Sequence, residues 1–149
     1  MTIETFDAQD AQRLNEALEI RLAVFVREQG VPLDLEIDEH DRSPDVVHAL
    51  VRAQSGQAIA TGRFYPISSD SVQLGRMAVV AGERGRGAGS ALLERLLREA
   101  RRRGYRRVQL DAQIPAIEFY RRAGFAEFGE RFWDAGILHQ SMARFWAED

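Results

Sequence analysis

The sequence predicts an α/β (α+β) fold in which a mixed, mostly antiparallel sheet is flanked by helices, in the order β-α-βββ-α-β-α-ββ. Short apolar, β-branched runs bounded by turn residues alternate with segments that carry apolar residues at helical spacing. The 149 residues are 45% hydrophobic and 29% charged, a balance typical of one globular domain, here residues 1–149. A chain of this length can bury a core without disulfides.

The first part of the chain predicts a strand, a long helix and an acidic loop. Residues 2–6 alternate between apolar and polar side chains, which indicates a short strand. Apolar residues at helical spacing predict a helix over 8–29, which Gly30 ends. The segment 31–45 contains Pro32, Pro44 and a run of acidic side chains, so we expect an irregular loop there.

Three strands and then a second helix are predicted in the middle of the chain. Residues 46–53 and 58–67 are apolar runs separated by a short polar turn, which predicts a hairpin. A second turn leads into a third strand over 72–80. A glycine-rich turn follows and continues into a helix with one apolar face, which Gly104 ends.

The last third predicts one more helix between strands. Residues 108–111 indicate a strand, and residues 115–123 indicate a short helix. Two further strands are expected over 125–132 and 137–145, with a turn between them.

The composition excludes several kinds of chemistry. The chain has no cysteine, so disulfides, thiolate nucleophiles, iron–sulfur clusters and cysteine-bound zinc are ruled out. All 20 basic residues are arginine, so a Walker A lysine and a Schiff-base amine are also missing. No metal site is expected, because the acidic loop lacks both a helical i, i+4 ligand pair and calcium-loop spacing.

Charge and hydropathy bear on partners and location. Five arginines within 101–107 fit either a nucleic-acid patch or a solvated helix end, and the net charge of −3 favours the second interpretation. We therefore expect no nucleic-acid partner. No apolar run approaches membrane-spanning length and the first residues do not resemble a signal peptide, so a cytoplasmic protein without membrane contact is expected.

The glycine-rich turn is the most specific chemical signal. Gly85, Gly87 and Gly89 alternate between a strand and the start of a helix, where backbone N–H groups can approach an anion closely. Arg84 and Arg86 add positive charge, so the pattern favours a pyrophosphate site. The alternative is a tight strand–helix turn that needs glycine only for its backbone conformation.

A dinucleotide-binding interpretation of this turn is weak. That fingerprint, G-x-G-x-x-G, ends in a third glycine three positions after the second, where this chain has Ser90, and it opens a βαβ unit near the start of a domain. Asp111 could imitate the acid that binds the ribose, but too little chain follows for a second nucleotide-binding half.

Two segments resemble the GCN5-related N-acetyltransferase (GNAT) superfamily. Residues 74–93 match its strand, its [QR]-x-x-G-x-[GA] loop and the following helix, with Arg84, Gly87 and Gly89 at the defined positions. Residues 113–125 match its N-x-x-A-x-x-F-Y-x-x-x-G-F motif, except that Gln113 replaces the asparagine. The segments 21–32, 36–41 and 136–142 further resemble the bacterial ElaA/YjcF-like branch.

The resemblance implies a GNAT fold and acetyl-CoA as the co-substrate. It assigns the pyrophosphate to the loop and the first residues of the helix: Arg84, Gly85, Arg86, Gly87, Ala88, Gly89 and Ser90. It assigns the pantetheine arm to the edge of the preceding strand at Met77, Ala78 and Val79, with Gln113 as a further contact to the cofactor or its loop. One of Arg121 and Arg122 is expected to reach the 3′-phosphate of CoA.

The resemblance also implies that Tyr120 acts as the general acid that protonates the departing thiolate. A weak acid beside a departing thiolate fits general acid catalysis. The alternative is an aromatic side chain that packs with Phe119 and Phe125 under a short helix.

An amine acceptor must lose a proton before it attacks a thioester, so a base is also expected. Six side chains are candidates for the base or for contacts to the acceptor: Glu28, Glu36, Asp38, His40, Glu130 and His139. The acidic loop could line a pocket for a cationic amine, or it could be a solvated surface loop.

The sequence therefore predicts an acetyl-CoA-dependent N-acetyltransferase that moves an acetyl group to a primary amine by direct attack in a ternary complex. A small-molecule acceptor is favoured over a protein, and the family admits a homodimer. Two alternatives come from other classes, namely an inactive acyl-CoA-binding sensor and a nucleotide-binding regulatory module.

Overall fold

One eight-stranded sheet organises residues 1–147, which are the residues that the computed structural model describes. The strands are β1 (Thr2–Phe6), β2 (Val47–Arg52), β3 (Ala58–Pro66), β4 (Ser71–Val79), β5 (Arg107–Gln113), β6 (Ala126–Glu127), β7 (Phe132–Asp134) and β8 (Ile137–Phe145). Their spatial order is β1-β2-β3-β4-β5-β8-β6, with β7 also paired to β8. Only β4 and β5 run parallel among these pairs, which confirms the predicted mixed, mostly antiparallel sheet.

Helices cover both faces of the sheet. They are α1 (Ala11–Arg21), a π-helix (Leu22–Glu28), α2 (Leu33–Glu36), α3 (Ala88–Arg102) and α4 (Ile117–Arg122), with 3₁₀ turns at Glu39–Arg42, Ala81–Glu83 and Ile114–Ala116. Strand β2 shows how the faces divide, because its side chains alternate. Ala49 and Val51 pack in the α3 core, whereas Leu50 packs with Leu14 and Ala17 of α1.

The predicted N-terminal helix differs from the observed one at both ends. It begins at Ala11, where the Asp10 carboxylate caps it by accepting a hydrogen bond of 3.1 Å from the Arg13 N–H. From Leu22 it widens into the π-helix, in which the Gln29 N–H donates to the Val24 carbonyl five residues back. An apolar period near 3.6 does not distinguish these two helical forms over so short a segment.

Two further predictions were wrong in part. The acidic segment expected to be irregular contains α2 and the 3₁₀ turn Glu39–Arg42. The strand expected over 125–132 is interrupted, so that β6 and β7 are separate. Gly129 adopts a φ of +71° between them, and the Gln140 amide donates to the Phe128 and Gly129 carbonyls in place of ladder pairing.

The sheet splits between β4 and β5, and this split positions the site. The two strands pair only over Ser71–Gln73 and Arg107–Gln109. Beyond these residues β4 still pairs with β3, and β5 still pairs with β8, so the sheet opens along the line between β4 and β5.

Candidate active site

A cleft of about 870 Å³ occupies the opening between β4 and β5. Its walls are the separated strand ends, the glycine-rich turn, α4 and the acidic segment after the π-helix. The edge of β4 that faces the cleft has no partner strand beyond Gln73 among residues 1–147. An unpaired strand edge can hydrogen-bond an extended ligand as though it were another strand.

The three strand residues expected at the pantetheine arm, Met77, Ala78 and Val79, all line this cleft. Ala78 pairs with Thr61 of β3, so its strand is anchored on the side away from the cleft. The Val79 carbonyl accepts a hydrogen bond of 2.9 Å from Arg84 Nε, so the loop arginine occupies this end of the strand edge.

Two glycines of the turn are required by its backbone conformation. Gly85 and Gly87 adopt φ values of +78° and +87°, and Gly87 is the N-cap of α3. A Cβ at Gly89 would only make ordinary contacts, 3.6 Å from Val79 Cγ2 and 3.7 Å from the Phe119 ring. The turn thus presents the unpaired N–H groups of a helix start to the cleft, which suits an anion.

The other residues expected around the turn divide between the cleft and the surface. Arg84, Gly85, Gly87, Ala88, Gly89 and Ser90 line the cleft. The Arg86 side chain is 72% exposed, lies outside that lining and is 3.6 Å from the Glu83 carboxylate. Arg121 and Arg122 are exposed and pair with Glu118 on α4.

Tyr120 lies on α4 and lines the cleft while its side chain is largely buried. Its ring makes edge contacts with Phe119 at 5.1 Å and with Phe125 at 5.9 Å between ring centres. Burial raises the pKa of the Tyr120 hydroxyl, which keeps it protonated at neutral pH. The Tyr120 side chain therefore packs on its neighbours and also carries a protonated hydroxyl in the cleft wall.

Two hydrogen bonds link the end of the π-helix to the two separated strands. Glu28 Oε1 accepts from Arg84 Nη2 at 3.0 Å, just beyond β4, and Gln29 Oε1 accepts from Gln113 Nε2 at 2.8 Å, at the end of β5. Both pairs are exposed. Glu28, a candidate base, and Gln113, expected to contact the cofactor, are thus both engaged across the cleft.

Buried charges form the wall of the cleft at its other end. We call the following six side chains the arginine–carboxylate network: Arg21, Glu36, Asp38, Asp41, Arg63 and Arg76. Arg21 Nε lies 2.7 Å from Glu36 Oε1, and Arg21 Nη1 lies 2.6 Å from Asp41 Oδ1. Both Arg63 terminal nitrogens donate to Asp38 at 2.7 Å.

The network lowers the pKa of Asp38 and Asp41, because their contacts with arginines outweigh burial. Burial opposes the charge on Asp41, but hydrogen bonding to Arg21 and the charges of Arg21 and Arg63 outweigh it and lower the Asp41 pKa to about 2. Glu36 is 3% exposed and holds one arginine at each oxygen, Arg21 at 2.7 Å and Arg76 at 3.4 Å. Burial nevertheless outweighs these arginines and raises the pKa of the Glu36 carboxyl above its usual value.

The histidine candidates line the cleft, whereas Glu130 does not. His139 Nδ1 lies 2.8 Å from the Ile137 carbonyl oxygen, and its ring stacks on Phe132 with 5.7 Å between centres. His40 stacks on Tyr65 with 3.7 Å between ring centres. Glu130 is exposed between β6 and β7, outside the cleft lining.

Asp111 is a cleft residue that the search for a base did not identify. It lies on β5 just past the last pair with β4, and its oxygens accept from Ser141 Oγ at 2.8 Å and from Gln73 Nε2 at 3.4 Å. These partners are neutral, whereas Glu28, Glu36 and Asp38 hold arginines. The available signal was a single carboxylate on the polar side of an alternating strand.

Residues 1–147 contain no group of three or more histidine, cysteine, aspartate or glutamate side chains placed to hold a metal ion. Within the same residues, every helix is too short or too polar to cross a membrane.

Known proteins resemble the chain over most of its length. It is 31% identical over 138 residues to the uncharacterized N-acetyltransferase YjcF of Bacillus subtilis, covering 92% of this chain and 96% of that one. It superposes on Escherichia coli ElaA with a TM-score of 0.86 at 28% identity, covering 96% of this chain and 98% of that one. An acyl-CoA N-acyltransferase from Pseudomonas aeruginosa gives the same TM-score and coverage at 30% identity.

The model of the protein family described as "Acetyltransferase (GNAT) family" matches residues 14–125 of the chain. These residues include the split strands, the glycine-rich turn and Tyr120. The resemblance inferred from the two sequence motifs is confirmed. The chain belongs to the acetyltransferase (GNAT) family and is an acyltransferase.

Proposed function

We propose that the protein transfers the acetyl group of acetyl-CoA to a primary amine by direct attack in a ternary complex. The observation that carries this proposal is the opening of the sheet between β4 and β5, with the glycine-rich turn at one end. Acyl-CoA binding goes with the GNAT fold, whose enzymes act on small-molecule or protein acceptors. We favour a small-molecule amine.

The cleft fits the parts of acetyl-CoA in order. The turn around Gly87 offers helix N-terminal N–H groups to the pyrophosphate, and the open edge at Met77–Val79 offers strand hydrogen bonds to the amides of the pantetheine arm. Acetyl-CoA supplies an activated acetyl thioester. The chain itself must orient that thioester, stabilise charge on its oxygen and provide a proton for the departing sulfur.

Tyr120 is the proposed proton donor to sulfur. Its buried hydroxyl stays protonated at neutral pH and lies in the cleft wall beside Phe119. Backbone N–H groups near Met77 to Val79 are the proposed donors to the thioester oxygen.

We assign Asp111 a contact to the acceptor amine. Its negative charge is held only by neutral donors among the interactions described, and it faces the cleft where the strands part. An ammonium group would find there a carboxylate that no arginine neutralises. His139, opposite Gln113 in the β5–β8 pairing, is the nearest candidate on β8 to relay the proton.

Binding and turnover together test the function. Calorimetry with CoA, ATP and NAD, followed by a screen of amines with detection of free thiol, is expected to show CoA binding and acetyl-CoA-dependent thiol release. CoA binding without turnover on any amine would support the sensor alternative. Tight binding of ATP or NAD without CoA binding would support a nucleotide-binding module.

The Tyr120→Phe variant should lower kcat by roughly 10²–10⁴, the usual contribution of a positioned general acid, while CoA affinity stays within a few fold. Tyr105→Phe is the matched control, since Tyr105 packs on Phe64 in the core, away from the cleft. Because slow product release can mask chemistry, the rate is measured in a single turnover. Equal single-turnover rates for both variants would leave Tyr120 as a packing residue.

The Asp111→Asn variant should raise KM for the amine by roughly tenfold or more, since one lost charge-assisted contact weakens binding by about 1.4 kcal/mol or more. CoA affinity should not change. Asp45→Asn, which removes an exposed carboxylate outside the cleft, is the control. A KM for the amine equal to that of the control would remove Asp111 from the acceptor site.

A further inference from the structure

Arg76 stands in an unusual place on β4. Its φ of +54° lies in the left-handed region, which non-glycine residues rarely adopt inside a strand. In the β3–β4 pairing, Thr61 faces Ala78 and Arg63 faces Gly75, so Arg76 and Met77 together face Gly62 alone. This arrangement is a β-bulge, and a bulge leaves one residue out of the ladder and bends the strand.

The bulge is fixed on one face of the sheet by Met77. Met77 packs against the α3 core, where a Cβ built on Gly62 would come within 2.5 Å of Met77 Sδ. The missing side chain at Gly62 therefore leaves the space on β3 that the Met77 sulfur occupies. The same bulge sends the Arg76 side chain toward the cleft, whose wall it joins.

Arg76 is fixed on the other face by the acidic segment. Its Nε donates to the Glu36 carbonyl at 3.1 Å, and its Nη2 donates to the Leu35 carbonyl at 3.2 Å and to Asp38 Oδ2 at 3.2 Å. Two of these acceptors are the last carbonyls of α2, which have no partners within that helix. A cation is favoured at this end of a helix.

The segment that Arg76 holds is itself immobilised. Arg21, which is 1% exposed, donates to the side chain and the main-chain carbonyl of Glu36, each at 2.7 Å. Arg63 holds Asp38, as described above. Arg76 therefore links a bent part of β4 to a rigid support at the end of the cleft lined by the acidic segment, which is the proposed acceptor end.

We infer that Arg76 is a positioning residue: it fixes the β4 bulge so that the backbone N–H groups beside it point at the thioester carbonyl. The inference rests on the proposed function, because Met77 and Ala78 are the proposed donors to that oxygen. Arg76 acts through the backbone and does not touch the reacting atoms. Its loss should disturb turnover more than cofactor binding, because the glycine-rich turn is anchored separately on α3.

Two substitutions separate the parts of this role. Arg76→Gly removes all of the guanidinium hydrogen bonds but tolerates the positive φ without strain. Arg76→Lys keeps a charge and a donor but lacks the planar fork that spans two carbonyls. Arg42→Ala is the control, because Arg42 is an exposed arginine of the same acidic segment and lies outside the cleft lining.

For Arg76→Gly we expect kcat to fall roughly 10²-fold, as for a misplacement of about 1 Å, with the Kd for CoA within threefold of wild type. Amide exchange over 75–78, the residues of the bulge, should become faster in this variant and not in Arg42→Ala. Arg76→Lys should recover part of kcat. These results together support the inference.

Two outcomes would overturn it while leaving the proposed function intact. One is an Arg76→Gly kcat within threefold of the Arg42→Ala value. The other is an equal loss of kcat and of CoA affinity, which would indicate general unfolding of the site. A wild-type protein that bound CoA but acetylated no amine would overturn the proposed function, and this inference with it.

Discussion

The two ends of the cleft are built by opposite means. At the proposed acceptor end the arginine–carboxylate network uses charged side chains, four of which are almost completely buried: Arg21, Glu36, Asp41 and Arg63. At the proposed cofactor end the glycine-rich turn uses backbone, and a Cβ added at Gly85 or Gly87 would meet no atom within 4 Å. Side-chain contacts therefore hold the end formed by the network, whereas missing side chains leave the glycine-rich turn open.

The difference shows that charged side chains in a cleft do not all serve chemistry. Glu36 and Asp38 are acidic and close to the site, but each is bound to arginine, so their charge stabilises the wall. The turn forms its part of the wall with backbone, whose N–H groups at the helix start suit an anion. Changes at the acceptor end should therefore cost stability first, and changes at the cofactor end should cost binding first.

The largest expected effect is on stability, in the Asp41→Asn variant. Removing this charge leaves Arg21 and Arg63 buried with one carboxylate fewer, and breaking a buried ion pair from one side costs about 3–5 kcal/mol. The free energy of unfolding is measured by urea denaturation. Asp45→Asn, an exposed aspartate nearby in sequence, should change it by less than about 0.5 kcal/mol. Similar free energies of unfolding for both variants would show that the buried network does not stabilise the fold.

The next effect is on binding, in the Gly87→Asp variant. A side chain and a negative charge would enter the proposed pyrophosphate seat, so CoA affinity should fall by roughly 100-fold or more, which is about 2.7 kcal/mol. The unfavourable φ should cost only about 1–2 kcal/mol of stability. Gly56→Asp is the control, because Gly56 has a similar φ of +93° in the β2–β3 turn. Unchanged CoA affinity in Gly87→Asp would place the cofactor elsewhere.

The smallest expected effect is on the pH dependence of stability, which we attribute to His48 beside the network and not to the network carboxylate Asp41. Burial lowers the His48 pKa, and His48 Nε2 lies 3.0 Å from the Asp41 carbonyl oxygen, to which the neutral ring donates. The unfolded chain therefore binds more protons as the pH falls below about 6.5, and stability should decrease from pH 7.5 to 5.5. Asp41 adds nothing in this window, because its contribution is lost only as the pH falls from about 4 toward 2.

Thermal unfolding across this pH range tests the assignment. His48→Gln should flatten the decrease between pH 7.5 and 5.5. A decrease that persists unchanged in His48→Gln would assign the titration to another group.

The elements predicted correctly are those whose signals lie within a short stretch of sequence. The final strand occupies 137–145 as expected, because alternation and a glycine turn define it without reference to the rest of the chain. The glycine-rich turn lies between β4 and α3 as expected, for the same reason. The π-helix and the interrupted β6–β7 segment were missed, because their hydrogen bonds do not follow from apolar spacing.

The site was predictable only in its backbone-built half. Arg21 and Asp41 are 20 positions apart and Arg76 and Glu36 are 40 apart, so no local pattern pairs them. The acidic run indicated either a pocket lining or a solvated loop, and the structure shows both: Glu36 and Asp38 line the cleft and hold arginines, whereas Asp34 and Glu39 are exposed. The position of Asp111 in the cleft could be predicted only with the register of β5 against β4 and β8.

The short seam between β4 and β5 has a mechanical consequence. Three residue pairs join a four-stranded half-sheet to the other half, and the rest of the junction is cleft. An extended ligand that hydrogen-bonds the free edge of β4 would fill part of the gap and contact both halves of the sheet. Because a ligand that binds only the folded state stabilises it by RT ln(1 + [L]/Kd), the free energy that holds the two halves together would rise with the concentration of that ligand.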